Sequence, residues 1–139
     1  MNFSPIAAGV WRAPEWGLDA AGLAGWMQQA LDLGITTFDH ADIYGGYTVE
    51  AMFGAAFALS PGLRDRLQIV TKCSIKLVSP QRPGHKIKSY DSSRAHVLAS
   101  VDASLQALRT DRIDLLLLHR PDLLMDPEEL GETFRHLLA

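Results

Sequence analysis

Residues 37–50 read TFDHADIYGGYTVE. The segment opens inside a β-prone run, ITTFD (35–39), and closes inside a helical pattern over 48–59 in which Met52, Phe53, Ala56 and Phe57 share a face. Between the two lie Asp39, His40, Asp42 and Tyr44, and then Gly45 and Gly46, which suit a tight turn. GGY is too short to serve as a phosphate loop. A strand, a polar loop and a helix in this order make one β/α unit.

Working outward, the unit recurs. The runs PIAAGVW (5–11), QIVTK (68–72) and IDLLLLH (113–119) have strand length, and like ITTFD they read as buried on both faces. Leu23, Trp26, Met27, Ala30 and Leu31 form a helical stripe between Asp19, a suitable N-cap, and Gly34, a suitable stop. Val97, Leu98, Val101, Leu105 and Leu108 form another over 92–108, with Asp91 or Ser92 as cap. Asp126-Pro127-Glu128-Glu129 supplies an N-cap, a first-turn proline and two carboxylates before Leu130, Phe134 and Leu137.

Four β/α units imply an α/β fold with parallel strands joined by right-handed crossovers. They are half of a TIM-type (β/α)8 barrel, whose full form takes about 250 residues. The chain has 139 residues and finishes at RHLLA without a closing Gly or Asn. The expected domain is therefore 1–139, the first four units of a barrel, truncated within the fourth helix.

Composition narrows the function classes. With 47% hydrophobic and 21% charged residues the chain is globular, and its net charge of -3 offers nucleic acid or an anionic membrane no general attraction. No apolar run reaches the roughly 20 residues of a membrane span. One cysteine, Cys73, and no leader-like N-terminus set a reducing cytoplasm as the expected location. Small-molecule chemistry remains.

In parallel α/β folds the functional side chains gather where strands end. ITTFD ends in Asp39, QIVTK in Lys72 and IDLLLLH in His119, while Tyr44 follows Asp39 on the next loop. A lysine at the end of an apolar strand needs a carboxylate partner, and Asp39 is the natural one. The ammonium would then favour the phenolate of Tyr44 and fit it for general-acid work, with His119 orienting a substrate oxygen.

These segments carry a resemblance. FDHADIYGGYTVE, IVTKC and IDLLLLHRPD resemble the N-terminal half of an aldo-keto reductase, whose Asp, Tyr, Lys and His tetrad falls on Asp39, Tyr44, Lys72 and His119. GVWR (9–12) resembles that family's first strand-end loop, which lies against the cofactor, and among its branches the bacterial oxidoreductases with a DHADIYGGY segment stand nearest. The resemblance implies NADPH-dependent reduction of an aldehyde or ketone, with Tyr44 as proton donor, Lys72 beside it, Asp39 holding Lys72, and His119 on the carbonyl oxygen. Gly9, Trp11, Arg12 and Asp39 would contact the cofactor, and no metal is implied. The family's later strands, which grip the nicotinamide and the adenosine phosphate, have no counterpart in this sequence, so the implied activity is incomplete. The alternative is a non-catalytic fragment or interaction module that keeps the tetrad by descent. Either way, self-association or pairing with a C-terminal half is expected.

Other assignments compete for the same residues. Asp39 with Lys72 could be a structural ion pair, and His40 with His119 and Asp122 could bind a metal. Cys73 reads as a packed residue, since no base is indicated beside it. Trp11 and Trp16 suit either a pocket wall or plain packing. SIKLVSPQRPGHKIKSY (74–90) reads as one long irregular connection, either a solvated loop or a lid, and its Lys76, Arg82, Lys86 and Lys88 meet no acid within it.

Overall fold

The computed structural model describes residues 2–120 and 122–139. In chain order the elements are β1 (Ala7–Gly9), α1 (Ala20–Asp32), β2 (Thr37–Asp39), α2 (Val49–Leu59), β3 (Gln68–Cys73), β4 (Ile75–Lys76), β5 (Ser89–Tyr90), α3 (Arg94–Leu108), β6 (Leu115–Leu118) and α4 (Pro127–Leu137). β1, β2, β3 and β6 form one sheet in that order, with every pair parallel. Each strand of this sheet is followed by one of the helices, which pack in sequence, α1 on α2, α2 on α3 and α3 on α4. The first four β/α units of a TIM-type barrel are thus present.

The period-two alternation of a strand sorts the sheet's side chains. Ala8, Phe38, Ile69, Thr71, Cys73, Leu116 and Leu118 turn toward the helices. Most of these join the apolar clusters made with Leu23 and Met27 of α1, Phe53 and Phe57 of α2, Val97 of α3 and Leu130 of α4. Trp26 stands edge-on to Phe38 and Phe53, with ring centroids 5.6 and 6.3 Å away. The other parity puts Gly9, Asp39, Val70, Lys72, Leu117 and His119 on the opposite face, where the paired registers align them.

Two devices fix how closely the layers approach. At Gly54 of α2 a Cβ would fall 2.0 Å from the Ala107 carbonyl oxygen, so the backbones of α2 and α3 touch there. Arg64, 8% exposed, donates to the carbonyls of Leu67 and Arg112 and pairs with Asp114 at 2.7 Å. Asp114 in turn accepts the Ile69 N–H at 2.8 Å, which ties the start of β3 to the approach of β6.

Several expectations need correction. The outer strands are shorter than their apolar runs, and they are not buried on both faces: Ala7 and Gly9 are exposed and Leu117 is 39% exposed, all three on the face turned away from the helices. The cap of α3 is Ser93, whose hydroxyl accepts the His96 N–H, while Asp91 accepts both the N–H and the hydroxyl of Ser93. Residues 74–90 are not irregular throughout, since β4 and β5 pair antiparallel within them. Ser74, at φ 99°, turns the chain out of β3 into that hairpin. Lys76 does find an acid, Asp91 at 3.3 Å, one residue beyond the segment. Asp19, Gly34 (φ 79°) and Asp126 stand at the helix ends as expected, and α4 extends to Leu137. No described helix is long and apolar enough to cross a membrane.

Candidate active site

The three strand-end residues and Tyr44 of the following loop meet at one point. β2 ends at Asp39 and β3 carries Lys72 on the same face, so the ammonium reaches Asp39 Oδ1 at 2.7 Å. Lys72 Nζ also donates to the His40 carbonyl at 2.7 Å and to the Tyr44 phenol oxygen at 3.1 Å. Tyr44 is delivered by a tight 3-10 turn, Tyr44–Gly46, in which Gly45 and Gly46 have φ of 60° and 65°. A Cβ on Gly45 would lie 2.7 Å from Thr48 Oγ1, so this turn is built for glycine.

His119 continues β6 by donating its backbone N–H to the Cys73 carbonyl at 2.8 Å. That places its ring against Tyr44, with centroids 5.8 Å apart and planes at 73°. Burial first, then the charges of Lys72 and Arg120, hold His119 below the usual histidine value. A histidine held below its usual value is mostly neutral at physiological pH, and the Nδ1 of His119 is buried with no hydrogen-bond partner among the described residues. A neutral imidazole keeps one N–H to donate.

The residues of the first loop surround this point unequally. Gly9 pairs with Asp39 across the sheet and meets only open space where a Cβ would project. Trp11 is 67% exposed and shares a cleft of about 460 Å³ with Ile43, Gly46 and Leu77. Arg12 is turned to Glu15, which holds its guanidinium above the usual value by hydrogen bonding and charge. Trp16 packs on Trp26 at 4.8 Å, so of the two tryptophans only Trp11 opens onto the cleft. Leu77 brings the 74–90 segment to the same rim: its N–H binds the Tyr47 phenol oxygen at 2.8 Å, and Ser79 binds the Gly46 carbonyl.

The competing assignments fare differently. His40 is fully buried edge-on to Phe53, and burial, with the charges of Lys72 and Arg64, pushes it down to about 3. Among the described residues no group of three or more His, Cys, Asp or Glu side chains is gathered to hold a metal. The HRPD motif passes through Pro121, which lies outside the described residues. Cys73 is 1% exposed, and burial, then the charges of Asp42 and Glu50, push its thiol up to about 12, which leaves no nucleophile.

One buried acid escaped the sequence reading. Glu50, 6% exposed, accepts a hydrogen bond from Thr71 at 2.6 Å on the helix side of the sheet. In the sequence it looks like an ordinary solvated acid in the first turn of a helix, and only its place on the Val49–Phe53 face hints otherwise.

Comparison with known proteins places the chain in a family. The sequence profile described as the aldo/keto reductase family matches residues 5–138. Uncharacterized oxidoreductase YcsN of Bacillus subtilis is 56% identical over 99% of this chain and 46% of its own length. Oxidoreductase YdhF of Escherichia coli is 47% identical over 98% and 45%, and 6-dehydroglucose reductase of Agrobacterium fabrum 43% over 100% and 47%. Among solved structures, the holo form of an aldo-keto reductase from Bacillus halodurans superposes with a TM-score of 0.80 at 28% identity, covering 99% of this chain and 43% of that one. The chain thus spans about half the length of the relatives it matches. It belongs to the aldo/keto reductase family.

Proposed function

We propose that this chain carries the proton-transfer half of an oxidoreductase that reduces a small aldehyde or ketone with NADPH. The observation that carries the reading is the position of Lys72 Nζ, 2.7 Å from Asp39 and 3.1 Å from the phenol oxygen of Tyr44, with the His119 ring 5.8 Å from that phenol ring.

The residues present fit the nicotinamide end of the cofactor. Gly9 leaves space above the strand ends, Trp11 is open beside it, and the Asp39 side chain is one-third exposed. Arg12, exposed on the same loop, would leave Glu15 for a pyrophosphate oxygen. Bound there, NADPH would supply the hydride. Tyr44 gives its phenolic proton to the alkoxide that develops, and Lys72 offsets the charge left on the phenolate. Asp39 keeps Lys72 in place. His119, neutral and with an N–H to donate, holds the carbonyl oxygen toward Tyr44. A cytoplasmic protein would meet NADPH in its reduced form.

Fluorescence titration with NADPH tests the reading, first on the 139-residue chain and then with a C-terminal half from a relative supplied in trans. Gain of nicotinamide binding and of carbonyl reduction on adding the second half supports it. Saturable NADPH binding in neither preparation would instead assign the chain to a non-catalytic fragment that keeps the tetrad. Among carbonyls an oxidised sugar is the first to assay, since a relative 43% identical is named 6-dehydroglucose reductase.

A further inference from the structure

Behind β3, on the side of the sheet away from Lys72, lies a cavity of about 220 Å³ lined by Asp42, Tyr47, Glu50, Arg82, His96 and Ser104, among others. Two of these grip adjacent residues of β3. Glu50, from α2, accepts the Thr71 hydroxyl at 2.6 Å, and Asp42, from the Tyr44 loop, gives its backbone N–H to the Lys72 carbonyl at 3.0 Å. Among the described residues Asp42 Oδ1 is buried with no hydrogen-bond partner and neither carboxyl forms a salt bridge, although the Asp42 carboxyl accepts the Ile43 N–H and Glu50 also accepts from Ser104.

We propose that Asp42 and Glu50 form a singly protonated carboxyl pair and act as positioning residues for Lys72 and Tyr44. Two carboxylates withdrawn from water against one cavity cannot both ionise cheaply, so one proton stays with the pair. Burial, then the charge of Glu50, pushes Asp42 up to about 7, and burial pushes Glu50 up as well. The groups facing them do not cancel the charge by contact. From the segment after β4, Arg82 lowers both values from a distance, but its guanidinium lies over the Tyr47 ring at 4.7 Å. His85, on that segment, has its Nδ1 at the Leu77 carbonyl, and His96 of α3 is pushed down by burial. Tyr47 is engaged by Leu77 and Ile75, and the Cys73 thiol of β3 stays protonated.

With one proton aboard, the pair draws α2 and the Tyr44 loop together across the Thr71–Lys72 peptide. Loss of that proton sets two negative charges against each other. The peptide then gives way, and with it the contact between Lys72 Nζ and the Tyr44 phenol. The consequence for turnover rests on the proposed roles of Lys72 and Tyr44, whereas the coupling itself does not.

The test uses the whole chain, labelled for carboxyl carbons, lysine side-chain nitrogen and tyrosine rings, and titrated by NMR from about pH 5 to about pH 9. Asp42 is expected to titrate near neutrality, with the Lys72 Nζ and Tyr44 ring resonances following the same midpoint. In Glu50→Gln the repelling charge is gone, so the midpoint moves acidward and the Lys72 and Tyr44 shifts move with it. Should that variant fail to fold, Asp42→Glu, which keeps the carboxyl, should retain the near-neutral co-titration. Ordinary carboxylate titration at both acids would overturn the pairing, and flat Lys72 and Tyr44 signals across the Asp42 step would overturn the positioning role. A chain that co-titrates yet never reduces a carbonyl keeps this inference and loses the oxidoreductase reading.

Discussion

The ammonium of Lys72 lies 3.1 Å from the phenol oxygen of Tyr44, although 28 residues separate the two in sequence. Asp39 also holds that ammonium, at 2.7 Å, so the phenol faces a cation whose position is already set. In a barrel completed by the second half, Tyr44→Phe keeps the ring and removes the proton donor. Aldehyde reduction should fall about 10²–10⁴-fold, the usual loss for a general acid, while NADPH affinity changes little. Steady-state rates with a cofactor titration check this, and unchanged turnover would assign the acid elsewhere. Chelators should leave the rate as it was.

Gly54 and Gly25 offer a paired test of packing. A methyl group at Gly54 would drive into the Ala107 carbonyl oxygen, whereas at Gly25, inside α1, it would meet nothing within 4 Å. Gly54→Ala should cost about 1–3 kcal/mol or more, and Gly25→Ala should gain about 0.4–1 kcal/mol through the unfolded chain. Urea denaturation of the two variants separates the effects by sign.

Asp114→Ala should destabilise by about 3 kcal/mol, the low end for breaking a buried pair. The Arg64 and Asp114 side chains are only 10% and 15% exposed, so the change strands a guanidinium and an Ile69 N–H. The carbonyls of Leu67 and Arg112 still hold Arg64, which limits the loss. Equilibrium unfolding measures it, and a change under about 0.5 kcal/mol, the range of ordinary surface substitutions, would show the pair to be idle.

Stability should respond to pH with two opposed signs. His40 is held neutral down to about 3, while the unfolded chain protonates it near about 6.5, so its contribution is present above that value and lost as pH falls toward 3. Asp42 is raised to about 7, so the folded state keeps a proton that the unfolded state releases near about 3.9. Its contribution is present below the lower value and lost as pH rises through 7. His40→Leu should remove the acid-side decline and leave the neutral-side one. Urea midpoints measured across that range for both proteins would show it, and an unchanged acid limb would mean His40 is charged in the fold.

The outer edges of β1 and β6 have no strand neighbour among the described residues, and both run in the same direction. Such edges invite pairing. A separately supplied C-terminal half should bind the chain with gain of NADPH affinity, and without it the chain should self-associate. Light scattering distinguishes these from a stable monomer, which would show that the edges are satisfied some other way.

The sequence by itself determined the fold class, and it marked Asp39, Lys72 and His119 as strand-end candidates, because both readings rest on local signals. Alternating apolar runs and amphipathic stripes each bury a face, and a strand's end is marked by the residue at which apolar character stops, as at Asp39, Lys72 and His119. Local chemistry also settled most helix ends, although at α3 the sequence pointed to Asp91 or Ser92, and backbone geometry chose Ser93. The tertiary structure alone decided which charges lose their water. Nothing local in the sequence marks Glu50, Asp42, Arg64 or Asp114 as withdrawn from water; that follows only once α2, α3 and β3 close over them. Burial depends on elements that meet across 21 to 50 residues of chain, and no local pattern records the desolvation that such meetings impose.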